Sequence, residues 1–326
     1  MISMKDIANE VGVSRATVSY VLNGKCGDGL KISETMIEKV RETAERLGYV
    51  RNELVQSIVT GKSRVIAVIS NFYSFMMPVI KGCVEEASLH NCIIKLIPME
   101  DDINRAIQQA VKYRVAGIFA VSLPPETIKA VDPRFFELGI PSIGLVPETG
   151  RLAFDQKASA RRGTEYLIQQ GLTDILFLTN SNGHYIAKER EAGYVEAMER
   201  LHLPTRIVPS GFSDDALQAT LETIIDMHPA AVQCANDILA LDLINACYRR
   251  RLFIPDYFSI IGFSNVAASF HSSPRLTTIN EPFYETGKLM FQQIYQLIFE
   301  GKNSHPKKLI GEVIERDSVR KKRIEQ

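Results

Sequence analysis

Tryptophan is absent from these 326 residues, and cysteine is scarce: Cys26, Cys83, Cys92, Cys234 and Cys247, an odd number with no Cys-x-x-Cys pair. Both features argue against a disulfide framework and a zinc ribbon, and reduced thiols in the core or loops of a cytoplasmic protein are expected. An excess of one charge sign is also missing, since 38 Lys and Arg balance 38 Asp and Glu. That excludes a globally basic nucleic-acid coat but not a local DNA-binding face. No apolar run approaches the ~20 residues that cross a bilayer, and Met1 to Asp6 lacks the apolar core of a signal peptide. What is present is 45% hydrophobic and 23% charged residues, ordinary for a globular chain and long enough for two or three domains. A cytoplasmic protein without membrane contact is expected.

The first fifty residues have helical periodicity. Ser3 stands three residues before Asp6 in the manner of a capping box, and Ile7, Ala8 and Val11 form one apolar face. Gly12 suits the left-handed conformation that ends a helix. Ser14 restarts a helix with Thr17 three residues on, and Val18, Val21 and Leu22 face inward. Helix, glycine turn and helix together predict a helix-turn-helix. The second helix carries Arg15, Ser19 and Asn23 on its polar face, and its start is the part that meets base edges in such proteins. Arg15 can form a bidentate contact to guanine and Ala16 can touch a thymine methyl; Thr17 and Ser19 suit phosphates. A plain helical hairpin with a solvated face is the alternative. A third helix is expected from Ser33 to Gly48, with Ile37, Val40, Ala44 and Leu47 inward. Residues 1 to 62 hold nine Lys and Arg against eight Asp and Glu, a net of +1, so the DNA reading rests on placement rather than bulk charge.

From Arg64 onward, β-branched runs alternate with amphipathic stretches. Strands are expected at Val65–Ser70, Cys92–Pro98, Gly117–Val121, Pro141–Leu145, Asp174–Thr179, Arg206–Val208, Ala230–Cys234 and Phe258–Gly262. Helices such as Lys157–Gln170, Ile186–Leu201 and Ile238–Arg251 lie between them. This alternation implies parallel sheets covered on both faces. So many strands suit two doubly wound subdomains, with a ligand cleft at the strands' carboxyl ends. The fold class is therefore α/β, with an all-α helix-turn-helix headpiece. Residues 51–62 are too apolar for a plain linker and too short for a stable lone helix.

Catalytic motifs fail on inspection. Gly24 to Gly29 follows a helix rather than a strand, so it is not a dinucleotide loop. Gly61-Lys62-Ser63 lacks the earlier P-loop glycine, because Gln56 stands there. Gly262 to Val266 lacks the second glycine of a nucleophile elbow, and the six histidines are dispersed. No enzyme activity, cofactor or metal is expected.

Met4-Lys5-Asp6-Ile7-Ala8, Gly12-Val13-Ser14-Arg15-Ala16-Thr17-Val18-Ser19, Val21-Leu22-Asn23 and Arg46-Leu47-Gly48-Tyr49 closely resemble the headpiece of the lactose-repressor (LacI) family of bacterial transcription regulators. Cys234-Ala235-Asn236-Asp237, Pro255 to Phe263 and Leu276-Thr277-Thr278-Ile279 are similar to that family's core motifs, and the likeness runs in order along nearly the whole chain. It implies a periplasmic-binding-protein-like core and a homodimer on a pseudo-palindromic double-stranded DNA operator, controlled by a small-molecule effector. It further implies a headpiece at 1–49, a hinge at 50–62 and a core at 63–326. The core's N-subdomain would comprise about 63–154 and 283–308, and its C-subdomain about 155–282 and 309–326. The last residues carry no leucine-repeat helix of the tetrameric members, so a dimer is expected.

By this resemblance Arg15, Ala16 and Tyr20 read bases, Ser14, Thr17, Ser19 and Asn23 support the DNA contact, and Asn52 to Ile58 form a hinge helix that enters the minor groove. Tyr20 stands where arginine or histidine is common, and Ile58 where a leucine wedges between base pairs. In the cleft the resemblance assigns effector contacts to Arg190, Asn236, Phe212, Phe75, Met76, Glu281 and Ser264, with Asp237 capping the following helix. Phe75, Met76 and Phe212 also fit a purely core role. Ser264 replaces the aspartate of many sugar-binding members, which leaves open a non-sugar effector or a sugar held differently. The rivals are a cytoplasmic small-molecule sensor without specific DNA binding and a doubly wound enzyme.

Overall fold

The computed structural model describes residues 2–23, 32–50, 63–72, 76–99, 102–121, 133–144, 152–179, 185–211, 213–302 and 307–322. Its contacts separate two compact units, Met1–Ser63 and Arg64–Gln326.

In the first unit, α1 (Met4–Val11), α2 (Arg15–Leu22) and α3 (Glu34–Arg46) enclose a small core. Ile7, Val18, Val21 and Val40 are at most 1% exposed there. Local chemistry sets the helix ends. The Ser3 backbone N–H and hydroxyl both donate to the Asp6 carboxylate at 2.8 Å, and these bonds hold the Asp6 carboxyl below its usual range. Gly12, at φ +79°, closes α1 in the left-handed region, where L side chains are disfavoured. The Ser14 hydroxyl then accepts the Thr17 N–H at 3.0 Å and so caps α2. An ion pair between Arg46 and Glu10 joins α3 to α1.

The second unit contains two principal sheets. In the first, β1 (Val65–Ser70), β2 (Ile93–Pro98), β3 (Gly117–Ala120) and β4 (Ser142–Gly144) lie in the order β2-β1-β3-β4, all parallel. Between them run α4 (Met77–Leu89) and α5 (Ile103–Lys112). All six residues of β1 are buried, as a central strand covered on both faces requires.

The chain then forms β5 (Leu152–Phe154), α6 (Gln156–Gln169), β6 (Ile175–Thr179), α7 (Tyr185–Arg200), β7 (Arg206–Pro209), α8 (Asp214–Met227), β8 (Ala231–Cys234) and α9 (Asp237–Arg249). After these come β9 (Ser259–Ser264), α10 (Ala267–His271), β10 (Thr277–Asn280), α11 (Phe283–Tyr295), β11 (Lys307–Leu309) and β12 (Glu312–Ile314). The second sheet has the order β12-β10-β9-β8-β6-β7. It is parallel except for edge strand β12, which runs antiparallel to β10. Strands β5 and β11 pair with each other, in parallel, as a separate ribbon.

The chain crosses between sheets more than once. After β10 in the second sheet, α11 packs back into the first lobe, where Met290, Phe291 and Ile294 share a core with Ile66, Val68, Val79 and Phe119. Strands β5, β10, β11 and β12 are additions to the expected set. Each has three or four residues, too few for alternation to distinguish a strand from a loop. The antiparallel β12 also departs from the expected all-parallel sheets. Cys83, Cys92, Cys234 and Cys247 are buried free thiols, and burial pushes Cys83 and Cys247 up to about 12; Cys26 lies outside the described residues.

Candidate DNA-reading helix and buried polar cluster

Helix α2 presents its first turn outward. Ser14, Arg15 and Ala16 are exposed, while Thr17, Ser19, Tyr20 and Asn23 are half-buried. The polar groups divide into two sets. Ser14 and Thr17 share a hydroxyl hydrogen bond at 2.9 Å in addition to the cap, and Asn23 Nδ2 donates to Ser19 Oγ at 3.0 Å. These four residues therefore shape the helix ends. Arg15 and Ala16 project from the first turn, the geometry that suits base contact, and the positive end of the helix dipole there favours phosphate. Asn52 and Ile58 lie outside the described residues.

In the second unit the structure brings three expected effector residues together and adds a fourth. Arg190, near the start of α7, is 7% exposed, and Glu281, just beyond β10, is 8% exposed. Arg190 Nη2 lies 3.0 Å from Glu281 Oε2. Gln156, the first residue of α6, bridges both: its carbonyl oxygen accepts from Arg190 Nε at 2.8 Å, and its amide donates to Glu281 Oε1 at 2.9 Å. Arg190 Nη1 donates to the Ala235 carbonyl at 2.6 Å. The Ser264 hydroxyl donates to Glu281 Oε2 at 2.6 Å, and the guanidinium carbon sits 3.7 Å from the Phe263 ring centroid. Burial lowers the Arg190 pKa, and the adjacent Glu281 carboxylate opposes that shift. A buried charge is tolerated when it is paired and hydrogen-bonded in this way. Gln156 was not anticipated. Its sequence signal is only its place after Asp155, whose carboxylate caps α6 by accepting the Ala158 N–H at 2.8 Å.

A second network holds the turn that carries Ser264. Ser264 and Asn265 have φ of +108° and +54°, a backbone state that costs a non-glycine residue about 1–3 kcal/mol. The turn is fastened by Val266 N–H to Asp237 Oδ2 at 2.8 Å, Asn265 Nδ2 to Asn280 Oδ1 at 3.0 Å and Arg316 Nη2 to Asn265 Oδ1 at 2.5 Å. Asp237 also accepts from the Thr278 hydroxyl at 2.5 Å. Burial raises the Asp237 pKa, and the Thr278 and Val266 bonds oppose the shift. This corrects one expectation: the cap of α9 is Asn236, not Asp237. Asn236 has extended backbone, and its Oδ1 accepts the Leu239 N–H at 2.9 Å, which leaves Asp237 turned inward to brace the turn. Gly262 makes room for it, since a Cβ there would stand 2.2 Å from Asp237 Oδ1.

The other expected effector residues are placed differently. Met76 is 4% exposed in the core of the first lobe with Val79 and Phe291, and Phe75 and Phe212 lie outside the described residues. A hollow of about 450 Å³ lies beside α5, lined by Ile107, Val111, Arg134 and Leu138 among others, and holds none of the effector candidates. The cluster instead gathers at the carboxyl ends of β8, β9 and β10, the edge where parallel sheets bind ligands. No described helix is long and apolar enough to cross a membrane.

Comparison with known proteins yields two family matches. Residues 3–52 match the bacterial regulatory proteins of the lacI family, and residues 164–319 match the periplasmic binding protein-like domain. The chain is 30% identical to the probable HTH-type transcriptional repressor ExuR of Bacillus subtilis, covering 98% of this chain and 99% of that one. It is 27% identical to the HTH-type transcriptional repressor PurR of Vibrio campbellii, over 98% and 99%. Among solved structures, the lac repressor dimer bound to operator and the anti-inducer ONPF superposes with a TM-score of 0.81 at 22% identity, covering 98% of this chain and 99% of that one. A LacI family regulator from Enterococcus faecium with bound ribose superposes at 0.67 and 20% identity, over 78% and 98%.

Proposed function

The chain belongs to the lacI family of bacterial regulatory proteins and is a DNA-binding transcription regulator; from that premise we propose a cytoplasmic homodimeric repressor that binds an inverted-repeat operator under the control of a small-molecule effector. The observation that carries this reading is the pairing, in one chain, of an exposed α2 first turn with a buried polar cluster at the ligand-binding edge of a parallel sheet. We assign 1–49 to the headpiece, 50–62 to the hinge and the remainder to the effector-binding and dimerisation core. Arg15, Ala16 and Tyr20 read bases. Ser14, Thr17, Ser19 and Asn23 set the helix ends and the phosphate contacts, and Asn52 and Ile58 engage the minor groove.

In the core, Arg190, Glu281 and Ser264 contact the effector together with Gln156, and Asn236 borders the same strand ends. Phe75 and Phe212 complete the surround, and Met76 keeps the core role it has beside Val79 and Phe291. The relatives named above are transcriptional repressors, and no catalytic role is assigned to any residue. Control follows from linkage: an effector changes operator affinity only through its differential affinity for two states of the core.

Selection of genomic fragments by the purified full-length protein, at a fixed moderate salt, tests this reading. One enriched inverted repeat is expected; salt-sensitive binding without enrichment would reduce the interaction to phosphate contact alone. On the selected repeat, Arg15→Ala is expected to weaken binding about 10- to 100-fold, the worth of a bidentate base contact. An unchanged titration midpoint would remove Arg15 from the reading set. Arg190→Ala is expected to abolish the effector response while changing effector-free operator binding less than about threefold, because the partners of Arg190, namely Gln156, Ala235 and Glu281, all belong to the second unit. Isothermal titration and operator binding on one preparation separate the two effects.

A further inference from the structure

We propose that Glu281 is a built-in carboxylate ligand of the Arg190 guanidinium, so that the effector reaching this cluster is uncharged and hydroxyl- or amide-bearing rather than a carboxylate or phosphate. The effector class rests on the effector-site reading above; the pairing rests on the geometry alone.

Each guanidinium nitrogen already has an acceptor: Nε the Gln156 carbonyl at 2.8 Å, Nη1 the Ala235 carbonyl at 2.6 Å and Nη2 the Glu281 carboxylate at 3.0 Å. One face is covered by Phe263 at 3.7 Å. Gln156 closes a three-residue ring by also donating to Glu281 at 2.9 Å, and Ser264 holds the other carboxylate oxygen at 2.6 Å. Arg190 and Glu281 are both more than nine-tenths buried, so solvent screens the pair little. The adjoining network repeats the balance, with the charges of Asp237 and Arg316 joined through Val266 and Asn265.

An incoming anion has two options. It can displace Glu281 and strand that carboxylate in a buried place, or it can lie beside Glu281 and set two like charges on one arginine; both are costly. A neutral hydroxyl or amide escapes both costs. It can donate to Glu281, a carboxylate with acceptor capacity on both oxygens, and accept from an N–H of Arg190, which has five such donors. The charge count of the cluster is then unchanged.

The test is chemical rescue, read by thermal unfolding of the full-length protein. E281A opens a carboxylate-sized space against Arg190 and is expected to lower Tm by roughly 5 °C or more, as loss of one partner of a buried pair does. Sodium acetate should restore at least half of that shift relative to equal sodium chloride. Acetamide, a neutral molecule of the same shape, should restore none, and neither should move the wild-type protein. R190M/E281A should lose the acetate response, which ties it to the arginine.

Three results would overturn the proposal: acetate raising the wild-type Tm as much as that of the variant; E281A destabilised but not rescued; or E281A as stable as wild type and indifferent to acetate. If E281A does not accumulate as folded protein, E281S leaves similar space with a hydroxyl and is judged by the same outcomes. No DNA and no effector enters the experiment, so its failure is distinct from failure of the operator selection.

Discussion

Deletion of residues 1–63 is expected to lower affinity for the selected inverted repeat by at least about 10³-fold, the gap between specific and non-specific binding, while residues 64–326 remain folded. The expectation rests on the division of contacts. The headpiece core consists of Ile7, Ala8, Val11, Val18, Val21, Val40 and Ala44, packed, among the described residues, with others of 2–49, and the boundary between compact units falls at Ser63. Removing that unit takes away Arg15, Ala16 and Tyr20, while the described residues of the other cores all lie beyond Arg64. Electrophoretic mobility shift on the selected repeat reads the loss, and circular dichroism with a urea melt reads the retained fold. Specific binding by residues 64–326 would place the DNA-reading surface outside α2.

Gly287→Val is expected to destabilise the second unit by about 3 kcal/mol or more, at the upper end of overpacking costs. Helices α4 and α11 meet through two glycines. A Cβ on Gly287 would stand 2.0 Å from the Val79 carbonyl oxygen and 2.9 Å from the Cys83 nitrogen; one on Gly82 would stand 2.1 Å from the Tyr284 carbonyl oxygen. These neighbours are backbone atoms, so no side-chain rotation relieves the overlap, and the helices must separate. Separation would also break the Cys83 Sγ–H bond to the Gly287 carbonyl at 3.2 Å and loosen Met290 and Phe291 in the first lobe's core. Gly171→Ala is a suitable control. It meets nothing within 4 Å and is disfavoured only by its φ of +84°, a cost nearer 1–2 kcal/mol. Urea denaturation of both variants checks the difference, and equal midpoints would deny the close helix contact.

The headpiece was legible residue by residue because its determinants are local. The Ser3–Asp6 box and the Ser14–Thr17 cap each span three residues, and Gly12 needs only its own φ. The longer buried strands were legible for a related reason: β1 is buried along its whole length and reads as an unbroken apolar run from Val65 to Ile69. The short strands were not. A three-residue strand such as β5 exists because β11 lies beside it, and that partner is remote in sequence. Gly82 and Gly287 look like weak points inside helices, where glycine costs about 1 kcal/mol against alanine. Only the helix crossing gives them a use.

The same division runs through the candidate sites. Arg190, Ser264 and Glu281 were reached through motif resemblance, yet nothing in their spacing says that they touch one another. Gln156 and Glu281 are 125 residues apart and meet because α6 begins, and β10 ends, at one edge of the second sheet. Likewise Asn236 and Asp237 are both plausible caps as adjacent letters. The extended backbone of Asn236 and the buried Thr278 and Val266 partners of Asp237 assign their different work. Helix ends, buried strands and the order of elements follow from interactions within a few residues, so periodicity and capping chemistry were enough to derive them. Which charge neutralises which, and which glycine admits which backbone, depends on contacts closed over long loops, and those became decidable only once both sheets were in place.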